Sequence, residues 1–143
     1  MSDCVFCKIV AGQIPSTKVH EDELTLAFMD IGEVNPGHVL VTVKPHVENI
    51  CGLNDTLAAA VFRTAAQVAR ALQKAYSPEG VTLYQANGAA AGQTVFHFHL
   101  HLVPRYAQDG MRLTWPVNNP PREHLEANAA RLRAALLDSA PPN

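Results

Sequence analysis

Three histidines at alternate positions are the residues of this sequence best suited to chemistry. His97, His99 and His101 alternate with apolar residues in the segment Phe-His-Phe-His-Leu-His-Leu-Val-Pro, residues 96–104. Since a strand directs alternate side chains to opposite faces, the pattern predicts a strand here with all three imidazoles on one face. Neutral imidazole is nucleophilic near pH 7 and also binds metal ions. The row therefore predicts either a metal site or a phosphate site in which one ring attacks phosphorus.

A loop of small residues leads directly into the histidine segment. Residues 87–92 read Asn-Gly-Ala-Ala-Ala-Gly, and Gln93 and Thr94 follow. Glycines leave backbone N–H groups free to approach an anion, and the two polar side chains add donors. His99, the middle ring, then suits a nucleophile that forms a phosphohistidine and later surrenders the phosphate to water. The flanking rings would donate to the phosphate oxygens.

Two cysteines near the start of the chain form a second candidate site. Cys4 and Cys7 have the C-x-x-C spacing, which lets two sulfur atoms reach one metal ion from a tight turn. A zinc ion would need two more ligands. The sequence alone does not choose them among the seven histidines. The alternative is a pair of unligated thiols that pack as small apolar groups.

An aspartate at the end of a predicted strand is a third candidate. Asp30 follows the apolar residues 26–29. Its carboxylate could accept hydrogen bonds from both hydroxyl groups of a ribose. The alternative is an aspartate that only shapes a turn.

The composition excludes several classes of protein. Apolar residues make up 48% of the chain, charged residues 17%, and the net charge is −2, which is typical of a globular protein. We expect no nucleic acid partner because no long basic run is present. We expect no membrane span because no apolar stretch reaches about 20 residues. A signal peptide pattern is also missing, so we expect a cytoplasmic protein.

The order of predicted elements indicates an α+β fold with an antiparallel sheet. An apolar stripe with Asn54 or Asp55 as its N-cap predicts a long helix that Gly80 stops. A second helix is expected after Pro121. We expect one domain over residues 1–143, with a core of about 4–115 and an extension helix of about 120–139. The predicted strands cover residues 18–21, 24–29, 38–43, 81–86 and 96–104.

Together these segments resemble the histidine triad (HIT) family, whose motif is His-φ-His-φ-His-φ-φ with φ apolar. The motif stands here at residues 97–103, and the resemblance runs from Cys4 to about Trp115. It is closer to the Hint-like, bacterial-type branch than to the Fhit or galactose-1-phosphate uridylyltransferase branches. Further matching segments are residues 4–9, 27–31, 36–41, 44–46, 87–88 and 92–95.

The resemblance implies a fold and an activity. Each subunit of a homodimer would supply a five-stranded antiparallel sheet, and the two sheets would join across the interface. The activity would be hydrolysis or transfer at the α-phosphate of a purine nucleotide or nucleotide conjugate, such as a nucleoside phosphoramidate or an adenylate, through a nucleotidyl-histidine intermediate. Two alternatives stay open: hydrolysis of dinucleoside polyphosphates, and a non-enzymatic adaptor that binds zinc and nucleotide.

The resemblance also implies roles for individual residues. His99 would be the nucleophile. His38, His97 and His101 would be its neighbours at the phosphate. Asp30 would bind the ribose, with Phe28 and Ile31 near the base. The phosphate and leaving group would be positioned by Asn87, Gln93 and Thr94. A structural zinc ion would be held by Cys4, Cys7, His46 and His97.

Overall fold

A five-stranded antiparallel sheet carries the histidine segment. The structure is a computed structural model that describes residues 3–142. The strand order is β1-β2-β3-β5-β4, with antiparallel pairing throughout, as predicted. The strands are β1 (Lys18–Glu21), β2 (Thr25–Met29), β3 (Val39–Val43), β4 (Gly80–Tyr84) and β5 (His99–Arg105). The helices are α1 (Val5–Val10), α2 (Asp55–Tyr76) and α3 (Arg122–Leu137).

The long helix α2 covers one face of the sheet. Asn54 caps its first turn by accepting a hydrogen bond from the Leu57 amide. Its buried stripe packs on alternate residues of the central strands, including Val41 and Leu100. The helix ends at Tyr76, because Ser77 adopts a left-handed conformation (φ 47°) and Pro78 follows. The predicted stop at Gly80 was therefore wrong by one turn.

The short helix α1 lies against the opposite face of the sheet. Phe6 and Ile9 of this helix pack with Leu26, Phe28 and Leu40 in a second apolar cluster. Cys4 is the N-cap of this helix, and its Sγ accepts the Cys7 amide at 3.4 Å. Cys4 and α1 are thereby held beside the strand face from which His99 and His101 project.

The histidine strand begins later than predicted. β5 starts at His99, and residues 95–97 form a bend. The Phe98 amide donates to the Val47 carbonyl (2.6 Å), and the Phe98 carbonyl accepts the Thr42 hydroxyl (2.7 Å). These bonds replace ladder pairing ahead of His99, so the prediction of a strand from residue 96 was wrong for its first three residues. Of the three histidines in the row, His99 and His101 are strand residues, and they pair with Thr42 and Leu40 of β3.

A glycine positions His38, a histidine that lies outside the triad. Gly37 has a φ of +95°, and a Cβ there would lie 2.9 Å from the Tyr76 ring of α2. Only glycine fits both the conformation and the space without strain. The tight turn delivers His38 to the start of β3, on the same face as His101.

Residues 112–142 are exposed, apart from the half-buried Ala129. No residue of α3 is buried, and four of its leucines are more than half exposed. They are Leu125, Leu132, Leu136 and Leu137. Within residues 3–142, none of the helices has the length and apolar character required to cross a membrane.

Candidate functional site

A largely apolar cavity lies on the α1 face of the sheet, with two of the triad histidines in its wall. Its volume is about 410 Å³. The apolar part of the lining comes from α1 and from the strands beneath it. Of the residues predicted to bind nucleotide or react with it, the structure places Phe28, Asp30, Ile31, Thr94, His99 and His101 in this wall.

Backbone geometry determines which nitrogen of His99 is free. Its Nδ1 lies 2.6 Å from the carbonyl oxygen of His97. Because a carbonyl oxygen only accepts, Nδ1 must carry the proton and Nε2 must carry the lone pair. Burial lowers the pKa of His99, against the opposing effects of that hydrogen bond and of Asp30. His99 is therefore a neutral imidazole with an available nucleophilic nitrogen in the cavity wall.

A second chain of hydrogen bonds determines the proton position on His101. The Val34 amide donates to Nδ1 of His38 at 3.2 Å, so neutral His38 carries its proton on Nε2. That Nε2 lies 2.9 Å from Nδ1 of His101. His101 accepts at Nδ1 and must keep its own proton on Nε2. The two triad rings in the cavity thus have opposite roles: His99 offers a lone pair and His101 offers an N–H.

Asp30 is held beside this pair of histidines. One carboxylate oxygen accepts the Gly32 amide at 2.8 Å. The other lies 3.3 Å from Nε2 of His38 and 3.5 Å from Nδ1 of His101. These three residues are close enough to hold a metal ion. The Val34 amide argues against this use, because it directs the His38 proton onto the nitrogen that would have to bind the metal.

The two N-terminal cysteines meet two histidines in a compact cluster. Ligand atoms of Cys4, Cys7, His46 and His97 all lie within 4.8 Å of one another. The Nδ1 atom of His97 is 3.4 Å from Cys4 Sγ and 3.5 Å from Cys7 Sγ, and Nδ1 of His46 is 3.3 Å from Cys7 Sγ. A tetrahedral zinc ion holds sulfur and nitrogen ligands about 3.5 Å apart. The cluster therefore has the residue types and spacing of a four-ligand metal site.

His97 belongs to this cluster and not to the cavity. It is fully buried, and its Nε2 lies 2.8 Å from the Val43 carbonyl, which must accept the Nε2 proton. The lone pair is then on Nδ1, which faces the two sulfur atoms. With both ring nitrogens engaged, His97 has none left for a phosphate. Its expected role as a phosphate neighbour is corrected, because the ring faces the two sulfur atoms and is not part of the cavity wall.

His38 lies behind the cavity wall, next to His101. The side chain is 1% exposed and does not line the cavity. Both ring nitrogens are engaged, one with Val34 and one with His101. The expectation that it lies at the phosphate is therefore corrected: in this structure it sets the proton position of His101, which lines the cavity.

The loop before Thr94 is folded onto itself. Gln93 is buried, accepts the Gly88 amide, and donates to the Glu48 and Val95 carbonyls. Asn87 accepts the Ile50 amide. Neither side chain lines the cavity; both hold the loop that leads to Thr94, and their expected part in positioning the phosphate and the leaving group stays a prediction. Thr94, which does line the cavity, keeps its expected position.

Two aromatic residues near the site, Phe6 and Tyr84, were not among the predicted site residues. Phe6 packs edge-to-face on His99, with ring centroids 5.0 Å apart. Tyr84 of β4 stacks on His101. The apolar face of α1 is the only sequence signal for Phe6, and the pairing of β4 with β5 is needed to find Tyr84.

Comparison with known proteins identifies the family. The family model for the HIT domain matches residues 11–108 of this chain. The chain belongs to the HIT family. The HIT protein named hit of Bacillus subtilis is 47% identical over 114 residues, which cover 79% of each protein. A solved protein of Streptococcus mutans superposes with a TM-score of 0.91 at 46% identity, covering 95% of this chain and 87% of that one.

Two other matches carry names that describe chemistry. The adenosine 5'-monophosphoramidase hnt1 of Schizosaccharomyces pombe is 38% identical over 114 residues, covering 79% of this chain and 83% of that protein. A zinc-bound HIT-family protein of Mycobacterium smegmatis superposes with a TM-score of 0.74 at 34% identity. That match covers 94% of this chain and 98% of the other.

The buried histidines should make stability depend on pH. Burial, followed by the charges of His99 and His38, lowers the pKa of His101 from 6.5 to about 4, against the opposing Asp30. Between these values the unfolded chain binds a proton that the folded chain does not. The free energy of unfolding should therefore fall as the pH falls through this window, by on the order of 3 kcal/mol from His101.

Urea denaturation at several pH values compares the wild type with His101→Asn. The variant should lose less stability than the wild type on acidification, because it lacks the titrating ring. Parallel curves for the two proteins would show that His101 is not the group responsible.

Proposed function

We propose that this HIT-family chain is a nucleotide hydrolase or transferase that acts at the α-phosphate of nucleoside phosphoramidates or adenylates. One observation carries the proposal: the His97 carbonyl holds the proton of His99 on Nδ1, so that Nε2 presents its lone pair in a cavity of nucleoside size. The S. pombe relative named as a phosphoramidase supports the same reaction class.

In the first step, Nε2 of His99 attacks the α-phosphorus. A P–N bond forms as the bond from phosphorus to the leaving group breaks, and the leaving group departs with the bond electrons and takes up a proton. The His99 ring gains positive charge in this step. The His97 carbonyl stabilises that charge through the hydrogen bond from Nδ1. His101 donates its Nε2 proton in a hydrogen bond to a phosphate oxygen as negative charge develops there.

In the second step, water attacks the same phosphorus and releases a proton to solvent, which balances the proton taken up by the leaving group. The P–N bond breaks, the nucleoside monophosphate forms, and the electron pair returns to Nε2 of His99. A second acceptor in place of water would make the reaction a transfer. His38 keeps His101 in the donor form through both steps, because the Val34 amide keeps the His38 proton on Nε2.

The remaining wall of the cavity suits a purine nucleoside. Phe28 is buried and Ile31 is fully exposed at the rim, so the two offer apolar surface to a base. The Asp30 oxygen that does not accept the Gly32 amide can accept ribose hydroxyl groups beside His101. Thr94 offers a hydroxyl to the phosphate or the leaving group.

Replacement of the nucleophile tests the reaction. With adenosine 5'-phosphoramidate as substrate, His99→Ala should lower kcat by at least about a thousandfold, because nucleophile and oxyanion donors act as a unit. The exposed His124→Ala variant should match the wild type. Intact-protein mass spectrometry after rapid acid quench should show a nucleotidyl adduct on the wild type that His99→Ala lacks.

The same assays separate the alternatives. Turnover of His99→Ala at the wild-type rate would end the covalent mechanism. Faster turnover of diadenosine polyphosphates than of the phosphoramidate would identify the leaving group as a nucleotide. Nucleotide binding without any turnover would favour an adaptor.

We also propose that zinc occupies the Cys4, Cys7, His46 and His97 cluster. All four tetrahedral positions come from protein side chains, which leaves none for water, so zinc would act structurally. Val43 orients His97 for this task by accepting its Nε2 proton. The zinc-bound mycobacterial neighbour supports the choice of metal. The ion would tie α1 to the residue whose carbonyl holds His99.

Metal analysis should find one zinc ion per chain. Cys4→Ser combined with Cys7→Ser should lose it and unfold with a free energy lower by several kcal/mol, less than the roughly 10 kcal/mol found for zinc-dependent peptides. Cys51→Ser is the matched control, because Cys51 is exposed and outside the cluster. Full retention of zinc by the double variant would contradict the assignment.

We further propose that the chain forms a homodimer as a single HIT domain with a C-terminal extension. The leucines of α3 and three apolar residues before it, Leu113, Trp115 and Val117, are half exposed or more. An isolated helix of this length is marginal in water, so a covering surface would stabilise it. The edge strand β4 offers the backbone of a second copy a pairing surface.

Light scattering coupled to gel filtration should give the mass of two chains. Leu132→Glu with Leu136→Glu should shift the equilibrium toward one chain by placing charges in the apolar stripe. Ala134→Glu adds a charge to an exposed position about 160° around α3 from both leucines and should leave the dimer intact. A single-chain mass for the wild type at micromolar concentration would refute the dimer.

A further inference from the structure

Tyr84 lies flat on the ring of His101. The two residues are directly opposed in the pairing of β4 with β5. Their ring centroids are 4.0 Å apart and their planes differ by 9°. Cross-strand neighbours on one face are within reach of each other, and an offset stack is one of the favoured arrangements of aromatic pairs. Sheet register thus places an aromatic face against a ring of the candidate active site.

Among residues 3–142, no aromatic ring other than that of Tyr84 lies parallel to the ring of His101. His38 meets His101 at the ring edge, through the hydrogen bond from Nε2 to Nδ1. The His99 ring is tilted by 57° to it, at a centroid distance of 5.1 Å. A hydrogen bond at one nitrogen leaves the ring free to swing about that contact. A parallel aromatic face opposes such a swing.

We propose that Tyr84 is a positioning residue for the proposed hydrolysis: its ring holds His101 in the orientation that keeps Nδ1 on His38 and directs Nε2 at the phosphate. The expected effect of Tyr84 on the reaction rate rests on the proposed function. The expected effect of Tyr84 on the orientation of the His101 ring does not.

The position of Tyr84 determines which kinetic constant should change. Tyr84 does not line the cavity that would hold the nucleotide. Loss of its ring should therefore leave substrate binding nearly intact and should weaken only the interaction that His101 makes as charge develops. A misplacement of a catalytic group by 1 Å can cost about a hundredfold in rate. The tyrosine hydroxyl has no hydrogen-bond partner among the described residues, so a phenylalanine ring should serve equally well.

The decisive comparison uses Tyr84→Leu, Tyr84→Phe and the matched control Leu83→Ala. Leu83 is the neighbouring residue of the same strand, is similarly exposed, and points to the other face. With adenosine 5'-phosphoramidate, Tyr84→Leu should lower kcat by about tenfold to a hundredfold and change KM by less than about twofold. Tyr84→Phe and Leu83→Ala should stay within about twofold of the wild type in both constants.

A spectroscopic measurement reads the stack without substrate. The ring-proton resonances of His101, identified by their loss in His101→Asn, should lie upfield in the wild type and in Tyr84→Phe because of the stacked ring. They should move downfield in Tyr84→Leu and stay in place in Leu83→Ala. If Tyr84→Leu does not fold, Tyr84→Met replaces it in both measurements.

Three results would overturn the proposal: unchanged His101 resonances in Tyr84→Leu, an unchanged kcat in that variant, or a loss in Tyr84→Phe as large as that in Tyr84→Leu. Failure of the proposed function has a different signature. A wild type that hydrolyses none of the substrates would refute the catalytic consequence together with the function, while the resonances would still decide whether Tyr84 orients His101.

Discussion

Two backbone carbonyl oxygens determine what the histidines of this protein can do. The His97 carbonyl accepts the proton of His99, and the Val43 carbonyl accepts the proton of His97. Each bond selects one tautomer, so His99 presents a lone pair in the cavity and His97 presents one to the sulfur atoms. The Val34 amide donates to Nδ1 of His38, so His38 donates from Nε2 to His101, and His101 keeps its own proton on Nε2. Rings of the same chemical type thus acquire separate roles from the backbone around them.

This division of roles depends on how the chain approaches β5. The bend at residues 95–97 turns His97 toward Cys4 and Cys7, while ladder pairing with β3 directs His99 and His101 to the cavity. A metal ion in the cysteine cluster would hold His97 from one side, and Val43 holds it from the other. The carbonyl that fixes the tautomer of His99 belongs to that same residue. The N-terminal helix would therefore help to support the reacting centre of the proposed hydrolysis.

The fold and much of the site could be predicted from the sequence because their signals are local or belong to a family motif. Alternation predicted β5 from His99 onward, and the apolar stripe with Asn54 predicted α2. The first three residues of the predicted strand failed because Val47 and Thr42, distant in sequence, take the Phe98 backbone. The bonds by which Asn87 and Gln93 hold their loop could not be predicted, because local sequence does not distinguish a polar side chain that binds a ligand from one that bonds to distant backbone. The Tyr84 stack needed strand register, which local patterns do not contain.

The tautomer of His99 is the most direct test of this account. Long-range proton–nitrogen NMR spectra of the 15N-labelled protein near neutral pH distinguish a protonated ring nitrogen from one that carries a lone pair. We predict that His99 is neutral, with its proton on Nδ1 and its lone pair on Nε2. A His99 ring protonated on Nε2, or on both nitrogens, would contradict it, because no nucleophilic nitrogen would then face the cavity.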